Sequence, residues 1–175
     1  DVCSSDLGIR MQPVGLAIYS AESQIGKTKV ATMINHHIVN RLNERKGTPN
    51  EVNHPIFRDI DKWTMWTQNE SDDYDQGYIG QQIHYVDDAF SMLDNKDHPV
   101  WLSKLSSSVV HTVQADLESK GRPYEAKLAV ATCNSVPQDS VTINNLSALH
   151  NRFTVAEARK KPNVNMPKPG EFDPD

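Results

Sequence analysis

The stretch Ala21-Glu22-Ser23-Gln24-Ile25-Gly26-Lys27-Thr28 decides how this chain is read. It ends in Gly-Lys-Thr, as a phosphate-binding loop does, and begins with alanine where the full G-x-x-x-x-G-K-[ST] pattern has glycine. Such a loop works through backbone N–H groups that converge on phosphate oxygens at a helix N-terminus, whose dipole favours anions. In that role Gly26 permits close backbone approach, Lys27 reaches the β- and γ-phosphates, and Thr28 offers its hydroxyl to Mg2+. Alanine at position 21 fits if its φ is negative and clashes through its Cβ if φ is positive. The same condition applies to Gln24, which stands where such loops often carry glycine. An ordinary strand-to-helix turn can also contain Gly-Lys-Thr, so the flanking sequence has to decide.

Upstream, Val14 to Tyr19 is a short apolar run that reads as a buried strand. Downstream, Val30, Ala31, Ile34, Ile38, Val39 and Leu42 fall mostly three and four apart. That is an amphipathic helix, with Arg41, Arg45 and Lys46 near its end and Gly47 as its stop. Strand, loop and helix in this order are the context a phosphate loop needs. Farther along, Ile56 to Arg58 reads as a short strand, and Glu70 to Gly80 as an acidic, turn-rich segment. Gln82 to Val86 and Lys127 to Ala131 read as strands. Leu102, Leu105, Val109 and Val113 predict a helix over Val100 to Val113, and Ile143 to Leu149 predicts a short one. Strands alternating with helices argue for a parallel sheet of the α/β type.

Composition narrows the function classes. The chain has 175 residues, net charge −5 and a pI of about 5.8, so there is no global basic field, and any nucleic-acid contact has to be local. Mean hydropathy is −0.60, and no apolar run is long enough to span a bilayer. Two cysteines, Cys3 and Cys133, suggest no disulfide framework and fit a reducing compartment. The opening Asp1 to Leu7 matches one translated frame of the tail of a widely used sequencing adapter. It is set apart from the fold as an artefact joined to a fragment, with a native polar tail as the other reading. The chain then divides into residues 1–7, a core over residues 8–158, and an irregular Pro-rich connection over residues 159–175.

Two further places carry chemistry. Asp87 and Asp88 end an apolar strand. At the carboxyl edge of a sheet, one carboxylate can hold the hydration shell of Mg2+ and the other can polarise an attacking water. Asn134 follows the strand Lys127 to Ala131 and would sit beside Asp88 if the two strands are neighbours, where a neutral amide can orient water. Taken singly, an acidic turn and a strand-ending asparagine are commonplace.

In order along the chain, these parts resemble the superfamily 3 helicase domain of picornavirus-like positive-strand RNA viruses, the nonstructural ATPase of their polyproteins. The resemblance runs from about Val14 to Phe153. Beyond the loop, Asp75-Gln76-Gly77-Tyr78-Ile79-Gly80-Gln81 is similar to the family's "DGYxxQ", and Asp87-Asp88-Ala89-Phe90 to its "DDF". Ala115 to Gly121 is similar to its "AxLExKG", Ala126 to Asn134 to its "SKxxxxTTN", and Ala148 to Phe153 to its "ALxRRF".

The resemblance implies an α/β P-loop NTPase fold, AAA-like, with a parallel sheet of about five strands and helices on both faces. It implies ATP and Mg2+ as ligands, with ATP held between subunits of a homo-oligomeric ring, usually a hexamer. By motif match, residues 21–28 bind nucleotide, Thr28 and Asp87 serve the metal, and Asp88 and Asn134 serve catalysis. Arg152 matches an arginine finger that reaches a neighbour's γ-phosphate. Lys120, Gly121 and Arg122 match the segment that faces single-stranded RNA in a central pore. A few basic residues repeated by symmetry suit an acidic chain better than a broad basic face.

The resemblance further implies other viral replication proteins as partners, and a site in host cytoplasm at membrane-associated replication complexes, with membrane contact through segments outside this chain. The departures are Ala21 and Gln24 for two glycines, Asn151 for a first arginine and Cys133 for a threonine. A non-hydrolysing nucleotide-binding scaffold is the competing expectation. A P-loop kinase or a cellular AAA-type ATPase is a third, disfavoured by the segments at Asp75 to Gln81 and Lys120-Gly121.

Other conspicuous residues read as structural. His36 and His37 point about 100° apart on a helix, a poor chelating pair. Trp63 and Trp66 read as packing residues, and Ser106 to Ser108 as helix surface.

Overall fold

The computed structural model describes residues 10–22, 24–45, 63–69 and 71–160. The chain order is β1 (Val14–Tyr19), α1 (Lys27–Arg45), β2 (Met65–Asn69), β3 (Ile83–Asp87), α2 (Asp97–Lys104), β4 (Leu128–Cys133), α3 (Leu146–His150) and β5 (Phe153–Glu157). The five strands form one sheet in the order β2-β3-β4-β1-β5, and every pairing is parallel. The expected α/β P-loop NTPase fold, with about five parallel strands and helices on both faces, is therefore what the chain adopts. The sequence segments at Ile56 to Arg58, Gly47, Asp1 to Leu7 and 161–175 lie outside the described residues.

Burial explains the strand order. β4 is buried at all six positions and lies between β3 and β1, as expected of a central parallel strand covered on both faces. Alternation sends its side chains to two different cores. Leu128 and Val130 join Ile18, Ile83 and Tyr85 beneath α1, which contributes Ala31 with Ile34, Ile38 and Leu42 at helical spacing. Ala129 and Ala131 face the other way, with Val86, and pack against Trp101 and Leu105 at α2 and Leu149 of α3. One face thus carries α1 and the other carries α2 and α3. Trp63 and Trp66 are buried, in keeping with a packing role.

Two expectations are corrected. The helix expected over Val100 to Val113 is α2, which ends at Lys104, and Ser106 to Ser108 lie in the turn beyond it rather than on a helix surface. Competing hydrogen bonds end the helix. Ser106 Oγ donates to the Ser103 carbonyl at 2.8 Å, and Ser108 N–H donates to Ser106 Oγ. The Arg10 guanidinium takes the carbonyls of Lys104, Ser108 and Tyr124. Beyond the turn, the chain runs antiparallel to the segment entering β4. Tyr124 N–H bonds the Val110 carbonyl at 2.7 Å, and Thr112 N–H bonds the Arg122 carbonyl at 2.9 Å. This makes a hairpin arm with its tip near Lys120. The second correction concerns length: the short helix expected from Ile143 begins only at Leu146.

Candidate nucleotide site

The carboxyl ends of β1, β3 and β4 lie side by side, because β4 is inserted between β1 and β3. From β1 the chain crosses to β2 at the far edge, whereas from β4 it passes over β1 to reach β5. Ligands of open α/β sheets bind where connections diverge in this way, outside the strand carboxyl ends.

The loop after β1 reaches that edge. Ser20 Oγ accepts the Glu22 N–H at 3.1 Å, and the Gly26 carbonyl accepts the Val30 N–H at 3.0 Å, closing the first turn of α1. Gly26 has φ 84° and open space where a Cβ would stand. Gln24 adopts φ 60°, a left-handed conformation that glycine takes without strain. Ala21 is outside the set of left-handed residues, so its Cβ carries no such penalty. Ser23 lies outside the described residues, and Glu22 and Ile25 belong to the same loop.

Lys27 and Thr28, the first residues of α1, point at the ends of β4 and β3. The Lys27 ammonium lies 2.7 Å from Asn134 Oδ1 and 3.3 Å from the Glu22 carbonyl. Asn134 Nδ2 in turn donates to Asp88 Oδ1. The expectation that Asn134 lies beside Asp88 therefore corresponds to a direct contact between neighbouring strands. Thr28 Oγ1 lies 3.3 Å and 3.4 Å from the two carboxylate oxygens of Asp87. Asp87 Oδ1 also accepts the Tyr85 hydroxyl at 3.0 Å and the Thr132 hydroxyl. Partial burial pushes the Asp87 pKa up, but the hydroxyls of Thr132, Tyr85 and Thr28 outweigh it and leave the carboxyl below its ordinary value.

One ammonium, one amide, several hydroxyls and two carboxylates thus converge at the N-terminus of a 19-residue helix. This donor set suits a phosphate–Mg2+ group. The cation and helix terminus match the anion, and the hydroxyl beside an ionised carboxylate matches a hard cation that keeps much of its water. Thr28 and Asp87 are the residues able to hold the metal.

The remaining expected residues lie elsewhere. Arg152 immediately precedes β5, whose first residue pairs with Gly15 near the start of β1. It therefore sits at the amino edge of the sheet, about 16 Å along β1 from the Lys27 loop at ~3.3 Å per residue. Its Nη1 donates to the Ala148 carbonyl at 2.7 Å, and its Nε is buried without a hydrogen-bond partner among the described residues. Lys120 is exposed at the tip of the hairpin arm, Gly121 has φ 76°, and Arg122 Nη1 holds the Tyr78 carbonyl at 2.7 Å. This arm, too, is at the amino end of β4. Tyr85 and Thr132 join the site without a role assigned from the sequence. Their places, two residues before Asp87 and two before Asn134, are the signal, and Thr132 also falls within the Ala126 to Asn134 segment.

The profile of the RNA helicase family matches residues 16–135, which include the loop, both aspartates and Asn134. The chain is 42% identical over 164 residues to the replication polyprotein of Nora virus, covering 94% of this chain and 7% of that polyprotein. It is 38% identical over 90 residues to the genome polyprotein of Ljunganvirus 1, covering 51% and 4%. It is 28% identical over 145 residues to the genome polyprotein of human parechovirus 5, covering 83% and 6%. The chain therefore spans a small fraction of the length of these relatives. With the nucleotide-type site and the parallel sheet, the match assigns the chain to the RNA helicase family, in the superfamily 3 form found within picornavirus-like polyproteins.

Proposed function

We propose that this domain hydrolyses ATP with Mg2+ at the carboxyl edge of its sheet and uses the cycle to move or remodel single-stranded viral RNA. The observation that carries the reading is the contact of Thr28 with Asp87 beside the Lys27–Asn134–Asp88 chain. Residues 21–28 would wrap the phosphates with backbone N–H groups, and Lys27 would exchange the Asn134 oxygen for a phosphate oxygen. Bound Mg2+ would supply charge that neutralises the β- and γ-phosphates. Asp88 would accept a proton from the attacking water, and Asn134, already hydrogen-bonded to Asp88, would orient that water.

Arg152 is too far from its own chain's site to act there. It would complete the site of a neighbour in a homo-oligomeric ring, a hexamer in this reading. Lys120, Gly121 and Arg122 would face RNA in the centre. The setting would be the host cytoplasm at membrane-associated replication complexes, alongside other viral replication proteins.

The test is phosphate release by the purified domain, with and without single-stranded RNA. Turnover that requires Mg2+ and rises with RNA is expected. Tight nucleotide binding without phosphate release would overturn hydrolysis and leave a nucleotide-binding scaffold, the reading that the left-handed Gln24 favours.

A further inference from the structure

Thr132 is fully buried at the next-to-last position of β4, a strand otherwise built from Leu, Ala, Val and Cys. A hydroxyl there needs partners, and it has two. It donates to Asp87 Oδ1 and accepts the Asp88 N–H at 3.1 Å. The direction is forced, because a backbone N–H can only donate and the single hydroxyl proton is then left for the carboxylate. The Thr132 carbonyl completes the grip by accepting the Ala89 N–H at 2.7 Å.

These bonds fall where the β3–β4 ladder stops. Its last paired residues are Val86 and Ala131. Beyond them Asp88 turns into the left-handed region, φ 57°, which swings its carboxylate away from Asp87 and onto Asn134. Two adjacent carboxylates thus face different partners, one toward Thr28 and one toward Asn134, whose oxygen holds Lys27. Tyr85 also donates to Asp87, but makes no bond to Asp88 among the described residues. Thr28 belongs to the loop that would receive the ligand, so, unlike the Thr132 bond, its bond to Asp87 would not be independent of a bound metal.

We propose that Thr132 is a positioning residue that divides the labour of the aspartate pair: it fixes Asp87 toward the metal and sets the turn that delivers Asp88 to Asn134. The inference rests on the ATP–Mg2+ reading of the site. Second-layer hydroxyls of this kind tune metal affinity through the ligand they hold.

The experiment measures binding of a non-hydrolysable ATP analogue across a Mg2+ titration, in wild type, Thr132→Val and Thr132→Ser. Valine keeps the shape and loses the hydroxyl, whereas serine loses the methyl and keeps the hydroxyl. Thr132→Val is expected to need about tenfold more Mg2+ for the half-maximal gain in affinity, with metal-free binding unchanged. Thr132→Ser is expected to stay within about twofold of wild type by the same argument. If Thr132→Val does not fold, the comparison of Thr132→Ser with Thr132→Ala carries the same contrast. Equal Mg2+ midpoints for the hydroxyl-bearing and hydroxyl-free variants would overturn the proposal alone. A wild-type domain that binds no nucleotide at any Mg2+ concentration would overturn the site reading with it.

Discussion

The ammonium of Lys104 lies 2.6 Å from the carboxylate of Asp75, with 5% and 7% of the two side chains exposed. The pair is not isolated. Lys104 also donates to Gln68 Oε1 at 3.1 Å, Gln68 Nε2 donates to Asp75 Oδ1 at 3.0 Å, and Asp75 Oδ2 accepts the Val113 N–H at 2.9 Å. One ion pair therefore ties α2, β2 and the root of the hairpin arm together. Removing one partner leaves a buried charge without its counter-ion, which costs about 3–5 kcal/mol. Lys104→Met should lower the unfolding free energy by that much in a urea titration, and Lys104→Met with Asp75→Asn should recover part of it. A single variant as stable as wild type would refute the expectation.

His84 makes stability depend on pH in the same region. Its ring is stacked between Trp66, 4.4 Å away, and Trp101, 5.3 Å away. Nδ1 lies 2.9 Å from the Tyr124 hydroxyl, and Nε2 lies 3.0 Å from Gln68 Oε1. Burial, reinforced by the Lys104 charge, holds the imidazole well below its ordinary pKa. The folded protein keeps His84 neutral while the unfolded chain protonates below about pH 6.5, so the unfolded state binds the extra proton. Stability from this group is complete above about pH 6.5 and falls as the pH is lowered, by up to about 1.4 kcal/mol per unit. Parallel denaturation curves of wild type and His84→Gln between pH 7 and pH 5 should converge toward the acid end; a constant gap would rule the effect out.

Lys27 and Arg152 lie at opposite edges of the sheet, so one chain cannot use both in one site. Lys27→Ala and Arg152→Ala should each abolish turnover while the fold, read by circular dichroism, is kept. Arg152→Ala should still bind nucleotide. Mixed in equal amounts, the two inactive proteins should regain on the order of a quarter of wild-type activity, from interfaces that pair an intact loop with an intact arginine. No recovery in co-assembled mixtures would eliminate the shared site, as would full activity of Arg152→Ala.

Gln24 holds a left-handed backbone in an exposed part of the loop. Gln24→Gly removes a side-chain penalty of about 1–2 kcal/mol and returns part of it as unfolded-chain entropy. The net expectation is a gain of about 0.5–1 kcal/mol in thermal stability and tighter nucleotide binding. A looser complex would mean that the Gln24 side chain itself holds the ligand.

The sequence made the buried strands legible and the edge strands illegible. β1, β3 and β4 are short apolar runs because they lie in the interior of the sheet. β2, Met-Trp-Thr-Gln-Asn, shows no such run, since at the sheet edge only Trp66 of its residues is buried. β5 fails for the same reason at the opposite edge, where Val155 is 46% exposed. Leu105 and Val113 share a helical phase by coincidence: one is buried and the other is 57% exposed beyond the turn that Arg10 stabilises. Lysine at position 104 reads as surface from sequence alone, because burial of lysine is rare and its partner is 29 residues away. The loop, the aspartates and Asn134 were legible because strand ends carry their chemistry in short contiguous motifs.

The strand order also fixes when the sheet can assemble on the ribosome. β1 emerges first, yet its partners are β4 and β5, and Val14 pairs with Leu128. At roughly 5–20 residues per second, β1 and the loop that follows it wait on the order of ten seconds for β4. Among the described strands, only β2 and β3, 18 residues apart in register, can pair sooner. Nascent chains therefore pass through an interval in which an apolar strand is exposed without its neighbours, and contacts of such long sequence separation form slowly. Within a polyprotein, the domain would close from its far edge inward, and the candidate nucleotide site would be among the last parts to form.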